Sequence, residues 1–301
     1  MIKAVMEMGT NSTRLLIADL KKRELKVLKK DLITTRLGEG VDKNKRLNGK
    51  AVERGLKALR AFKKEIDKYD VSSYKLVGTS ALRDVNNGEK FQKLIKEEIG
   101  YDLEIISGQK EAEFIFKGVT FGYDFSDYII IDIGGGSTEF ICKNIEEEQV
   151  EMKSLDIGAV RLTERFIADP ALELSKNVIK KMSKFVEQEL EKEIEILTGE
   201  DNLIGVGGTI TTLAAILLKL ENYDPQAIHD YVLDFSQVNK VLDKLRKLDL
   251  AKRKKVKGLN PDRADIIIAG IVILIEIMKN LRSLKLRVSD YDMLHGLLIE
   301  A

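Results

Sequence analysis

The stretch IIIDIGGGSTEF, residues 129–140, decides the fold. IIIDI reads as a buried strand, the glycines open the backbone to positive φ, and TEFIC resumes as strand, so the glycines form the tip of a β-hairpin. A Rossmann turn needs a helix directly after its glycines and a Walker loop needs Gly-Lys-Ser/Thr; neither is present here. A fainter copy, VMEMGTNSTRL at 5–15, lays Glu7, Gly9, Ser12 and Thr13 over Asp132, Gly134, Ser137 and Thr138. Each copy opens a half in which strands and helices alternate. Internal duplication is therefore the reading, set against two unrelated hairpin turns.

Working outward, short apolar or alternating runs at 3–7, 15–19, 25–33, 75–78 and 103–107 read as strands. Val52, Leu56, Leu59, Phe62 and Ile66, behind the N-cap Asn48, form the stripe of an amphipathic helix, and residues 89–99 repeat that pattern. The second half reads as strands near 128–133, 138–143, 150–155 and 203–206, with helices near 174–197, 209–220, 236–247, 263–281 and 290–299. Such alternation is an α/β fold. The glycine, aromatics and aspartates of TFGYDFSDY mark a domain boundary near residue 122.

The chain has 301 residues, 44% hydrophobic and 33% charged, with three prolines, which excludes disordered and collagen-like classes. The apolar run 266–278 falls short of the roughly 18 to 20 residues of a membrane span. With no signal-like start and one cysteine, Cys142, which cannot form an internal disulfide, a cytoplasmic protein without a membrane partner is expected. A net charge of +1 offers no global field for DNA.

The glycine turns carry the chemistry. Gly134, Gly135 and Gly136 let successive peptide N–H groups converge on one point, a nest suited to phosphate oxygens, to which Ser137 and Thr138 add hydroxyls. Asp132, at the carboxyl end of its strand, is placed to hold a hydrated Mg²⁺. Two such hairpins facing each other across a cleft would clamp a phosphate chain from both sides. A third turn, GVGGTITTLAAI at 205–216, does pass from strand to helix, with Thr209 as the expected cap and the helix N-terminus offering its positive dipole end to an anion, so that Gly207, Gly208 and Thr209 are expected to bind phosphate. Its plain alternative is an ordinary strand-to-helix turn. SGQKEAEFIFKGV, capped at Ser107, puts Glu111 in the first turn of a helix, where the dipole favours an ionised carboxylate. Arg14 and Arg83 either contact a polyanion or form salt bridges. Arg263 reads as paired with Asp262 or Asp265, and KRKKVK at 252–257 as a cleft entrance for a phosphate tail or a solvated basic loop. His229 and His295 are too few and too scattered for a zinc site or a triad.

The motifs GTNS, GTSALRD (78–84), ISGQKEAE (106–113), IDIGGGSTE (131–139), LDIGAVRLTERF (155–166), GVGGTITTLA (205–214), DRAD (262–265) and VSDYDMLHGLL (288–298) follow the order and spacing of a known family. In them the chain resembles the exopolyphosphatase/guanosine pentaphosphate phosphohydrolase family, and among its members the short, two-domain ones. The resemblance implies two ribonuclease H-like (actin-like ATPase) domains flanking an interdomain cleft: residues 1–122, joined by the C-terminal helix 290–301, and residues 123–289. It implies Glu111 as the catalytic base that orients a water, and Asp132, Glu139 and Glu7 as acids around Mg²⁺ or another divalent cation. The turns Gly9, Thr10, Asn11, Ser12 and Gly134 to Thr138 would hold phosphates. Polyphosphate or guanosine penta- or tetraphosphate would be the ligand; a homodimer stays open.

Two departures stand out. Glu7 replaces the family's usual Asp, and Lys110 replaces an acid next to Glu111, where it is expected to lower the pKa of that carboxyl. Three readings follow: a Mg²⁺-dependent phosphoanhydride hydrolase, a non-catalytic sensor of polyphosphate or guanosine phosphates with a drifted site, and an actin-like ATPase or sugar kinase, which the motifs disfavour.

Overall fold

The computed structural model describes residues 1–21, 24–121, 128–143, 150–193 and 203–301. The expected boundary near 122 and the end of the helix expected at 174–197 lie outside the described residues. The chain divides into two units, Met1–Tyr123 with Tyr291–Ala301, and Asp124–Asp290.

In the first unit, β1 (Ile2–Met8), β2 (Ser12–Lys21) and β3 (Glu24–Thr34) form an antiparallel meander, and β4 (Val71–Gly78) and β5 (Leu103–Ile105) add in parallel beside β1, giving the order β3-β2-β1-β4-β5. The helices are α1 (Val41–Asn44), α2 (Gly49–Ile66), α3 (Ser80–Arg83), α4 (Gly88–Ile99) and α5 (Gly108–Thr120). Asn48 caps α2, its side chain accepting from Ala51 N at 2.8 Å. The period of two along a strand sends Ala4, Met6, Met8, Leu15 and Ile17 into one core with Leu56, Leu59 and Phe62 of α2 and Phe91 and Ile95 of α4. The alternate positions, Val5, Glu7, Arg14 and Leu16, turn to the opposite face. Both faces are covered, which is why β1 is apolar almost throughout and why an acid at Glu7 is conspicuous.

The second unit repeats the plan. β6 (Ile129–Ile133), β7 (Thr138–Lys143) and β8 (Val150–Leu155) are antiparallel neighbours. β9 (Leu203–Val206) adds in parallel to β6, and β10 (Val232–Asp234) and β11 (Lys285–Val288) complete the order β10-β11-β9-β6-β7-β8. Its helices are α6 (Ala159–Phe166), α7 (Lys176–Glu193), α8 (Gly208–Leu218), α9 (Pro225–Ile228), α10 (Phe235–Arg246), α11 (Leu250–Arg253) and α12 (Ile267–Asn280). Ile129, Ile131 and Ile133 enter a core with Ile210 and Leu213 of α8 and the buried stripe of α12. The chain then returns to the first unit as α13 (Met293–Glu300), which packs on α5, β1 and β2. Three antiparallel strands followed by two parallel ones, present in both units, is the ribonuclease H-like arrangement; the second unit adds β10 at the edge, antiparallel to β11, and the α/β expectation holds in both units.

Boundaries differ where local chemistry intervened. The helix expected from 263 begins at Ile267, because Asn260 caps a separate 3₁₀ turn at Pro261–Arg263 by accepting from Asp262 N at 2.9 Å. The helix expected from 290 begins at Met293, because Asp292 is its N-cap. The cap of α8 is Gly207 at φ 88, not Thr209, which is buried in the first turn against Gly270 of α12. Among the described residues, no helix is long and apolar enough to cross a membrane.

Candidate functional site

The predicted residues fall into two groups, one in each unit. In the first unit the β1–β2 turn closes with Gly9 N donating to Ser12 O at 2.9 Å. Glu7 and Arg14 stand opposite each other in the ladder, so their side chains share a face. Arg14 Nε donates to Glu7 Oε2 at 2.5 Å, and its Nη1 pairs with Asp292 Oδ2 at the start of α13. Asp292 in turn caps that helix, Oδ1 accepting from Leu294 N at 2.9 Å, while His295 Nδ1 lies 3.2 Å from the same oxygen. Burial works against ionisation of Asp292, but Arg14 and His295 outweigh it and hold the carboxyl well below the usual range.

Glu111 sits in the first turn of α5, whose N-cap Ser107 accepts from Lys110 N at 3.1 Å. Its carboxylate is buried and accepts from Arg83 Nη1 at 2.7 Å; the same nitrogen donates to Ile106 O at 3.1 Å. Burial pushes the Glu111 carboxyl up to about 7 against the opposing pull of Arg83, with Glu7 adding to the rise and Arg14 reducing it. Glu7, Arg14, Arg83, Glu111 and Asp292 thus form one cluster, two guanidinium cations among three carboxyls. Arg14 and Arg83 both stand in ion pairs with these carboxyls.

The expected effect of Lys110 is overturned. Its ammonium donates to Glu113 at 3.0 Å and lies 3.8 Å from Glu300, over the ring of Phe114, so it does not bear on Glu111. Successive helix positions point about 100° apart, which sends Lys110 away from its neighbour's carboxylate.

In the second unit the β6–β7 turn closes in the same way as the first, Gly134 N donating to Ser137 O at 3.0 Å. Asp132 and Glu139 are ladder partners on one face, and Ser154 Oγ donates to Glu139 Oε1 at 2.8 Å. Asp132 also abuts the third turn, since a Cβ on Gly207 would overlap its Oδ1, and one on Gly208 would overlap the guanidinium of Arg263. The structure therefore joins Asp132, Glu139, Gly134 to Ser137, Gly207, Gly208 and Arg263. Arg263 lies over the third turn at the end of its 3₁₀ turn, a position that its neighbours Asp262 and Asp265 in sequence did not signal.

Two hydroxyls expected to face phosphate do not. Thr138, wholly buried, donates to Ile157 O at 2.5 Å, so its proton is spent inside the fold. Thr209 is turned into the α8–α12 contact. The basic run 252–257 is also not one open surface. Arg253 is fully buried and donates to the carbonyls of Leu248, Ala264, Pro170 and Leu172, while Lys252 and Lys257 pair with Asp249 and Glu221.

Two carboxylates on one face of a ladder suit Mg²⁺, which is held through one or two carboxylates together with substrate phosphates and waters rather than by an all-protein cage. No cluster of three His, Cys, Asp or Glu side chains able to hold a metal occurs among the described residues. Asp132 and Glu139 fit such an ion; Glu7 is held by Arg14.

Twin ribonuclease H-like units, each with a glycine hairpin beside a strand-end acid, place the protein in a class of duplicated α/β folds. Over residues 16–301 the chain matches the model of the Ppx/GppA phosphatase family, and it belongs to that family. It is 38% identical to a bifunctional 3-dehydroquinate synthase/phosphatase of Fusobacterium nucleatum, over 99% of this chain and 46% of that protein, so it spans about half of that relative. It is 32% identical to exopolyphosphatase 2 of Mycobacterium tuberculosis, over 98% of this chain and 96% of the relative. The crystal structure of the Aquifex aeolicus member of the Ppx/GppA family is 33% identical, with a TM-score of 0.81 over 100% of this chain and 97% of that one.

Proposed function

We propose that the protein is a Mg²⁺-dependent phosphoanhydride hydrolase that releases terminal phosphate from inorganic polyphosphate, guanosine pentaphosphate, or both. The observation that carries this is Glu111: a buried carboxyl held by Arg83 at 2.7 Å in the first turn of a helix, with burial pushing its pKa up to about 7. A group with that pKa at neutral pH takes a proton from water efficiently and returns it readily.

In this reading Glu111 orients a water and accepts its proton as the water oxygen bonds to the terminal phosphorus and the anhydride P–O bond breaks. Arg83 fixes the rotamer of Glu111. The peptide N–H groups of the glycine turns bind non-bridging phosphate oxygens. Asp132 and Glu139 would hold Mg²⁺, which supplies neutralisation of phosphate charge. Such a reaction needs little covalent participation from the protein, so positioned donors, charge and water suffice.

Phosphate release from long polyphosphate and from guanosine pentaphosphate, assayed with and without Mg²⁺, tests the reading. Glu111→Gln keeps the shape and an acceptor for Arg83 but cannot take a proton, and should lose about 10²- to 10⁴-fold in rate with an unchanged circular dichroism spectrum. An unaltered rate in that variant would end the assignment. The lock of Glu7 onto Arg14 favours a second reading, a sensor that binds polyphosphate or guanosine phosphates without turnover. Turnover by the unaltered protein excludes it.

A further inference from the structure

All four carbonyls of the Gly134–Ser137 turn are occupied from within the protein. Gly134 O accepts from Ala159 N at 3.0 Å, and Gly135 O accepts from Val160 N at 2.8 Å and Arg161 N at 3.2 Å. Gly136 O accepts from Arg161 Nε at 2.9 Å, and Ser137 O accepts from Gly134 N at 3.0 Å. By contrast, the N–H groups of Gly135, Gly136 and Ser137 donate to no group among the described residues, although Gly136 and Ser137 are buried. Buried peptide donors are almost always paired, so two consecutive ones without a protein partner, with the half-buried N–H of Gly135 beside them, point to a ligand that accepts. Gly158 sits against this turn so closely that a Cβ there would overlap the Gly135 carbonyl and the carbonyl carbon of Gly136.

The first unit has the same division of labour built from unrelated sequence. Asn11 O accepts from Thr35 N at 3.1 Å and Arg36 N at 2.8 Å, and Thr10 O accepts from Gly38 N at 2.8 Å. Here the arginine acts one step removed: Arg54 Nε donates to Thr35 O at 2.7 Å, on the residue whose N–H holds Asn11 O.

We propose that Arg161 and Gly158 are positioning residues that capture the carbonyls of the Gly134–Ser137 turn and so present its N–H groups to a phosphate. The physical reason is that a free glycine turn can flip its peptides, and a flipped peptide turns a carbonyl dipole onto the anion. Arg161 removes that alternative by giving the Gly136 carbonyl a charged donor on the far side. Gly158 allows the backbone of α6 to come close enough to do the same for Gly134 and Gly135. This deepens the hydrolase reading, but it concerns anion binding and is testable apart from turnover.

The full chain, labelled with ¹⁵N, is titrated with inorganic triphosphate. In the unaltered protein the amide resonances of Gly135, Gly136 and Ser137 should move. In Arg161→Met triphosphate affinity should fall about tenfold, with the thermal midpoint held within about 2 °C, and Arg161→Lys should recover part of the loss. In the turnover assay Arg161→Met should raise KM more than it lowers kcat. Arg161→Met that binds triphosphate like the unaltered protein overturns the proposal, as do amides that stay still at saturation. If Arg161→Met fails to fold, Arg161→Lys carries the test, and affinity equal to the unaltered protein is then the overturning result. A protein that moves these amides yet releases no phosphate upholds this proposal and defeats the hydrolase reading. Phosphate release with unmoved amides does the reverse.

Discussion

Glu111 illustrates how a residue's surroundings override its address. A first-turn position with a lysine beside it in sequence argues for an easily ionised carboxyl. Burial argues the other way and prevails over Arg83, leaving the group at about 7. If the base form is required, the rate should fall about tenfold per pH unit below 7 and level off above it, so the acid limb of kcat/KM should lie near 7 rather than near 4. Lys110→Ala should leave that limb where it is, because the ammonium faces Glu113 and Glu300; a limb moved by a full unit would show that Lys110 does act on Glu111. The stability consequence has a definite sign. The folded pKa of about 7 exceeds the ordinary value of 4.5, so Glu111 favours the fold fully below 4.5 and that contribution is lost as pH rises through 7. Glu111→Gln should therefore melt above the unaltered protein at pH 8, and the difference should shrink toward pH 5.

Glycine decides how closely elements approach. α5 and α13 meet backbone to backbone: a Cβ on Gly118 would overlap the Asp292 carbonyl, and one on Gly296 would overlap Phe114 O. Neither obstacle is a side chain that can rotate away. Gly296→Ala should cost about 3 kcal/mol or more, the upper end for overpacking. Gly49→Ala, in the first turn of α2 with nothing within 4 Å of its Cβ, should stabilise by about 0.5 kcal/mol. Urea midpoints of the two variants check both signs. The same elements show what the sequence made legible. Asn48 and Ser107 were readable as caps because each stands directly before a helical repeat and bonds locally. The hairpins were readable because strand, glycine turn and strand are contiguous. Thr209 misled because its hydroxyl answers to Gly270, a partner remote in sequence, while Gly207 at φ 88 took the cap. β10 and β11, at three and four residues, are too short to show alternation. Arg14 could be picked out, but its pairing with Asp292 across 278 positions could not, since only the return of α13 brings them together.

At the scale of the molecule, duplication explains the repeated sheet order and the identical closing bond of the two hairpins, yet the units differ in how they are completed. The second is one continuous stretch, Asp124–Asp290, with its own core. The first has a separate core of its own but takes its last helix from Tyr291–Ala301. That helix supplies Leu294, Leu297 and Leu298, all fully buried, to the face of the sheet that carries Glu7 and Arg14, and Asp292 joins the site's charge network. Burying a leucine side chain is worth about 1.5 to 3 kcal/mol, so three of them rival the whole stability of a small domain. A chain ended at Asp290 should therefore lose the first unit while retaining the second. In a ¹H–¹⁵N spectrum, resonances of β6 to β9 and α8 should keep their dispersion, and those of β1, β2 and α5 should collapse toward unfolded positions. Supplying residues 291–301 as a peptide should restore them, because the missing piece is one short, mostly buried apolar helix with its own cap. A truncated chain whose β1 and β2 resonances stay dispersed would mean that the sheet and α2 suffice, and that α13 serves the site's charges rather than the fold.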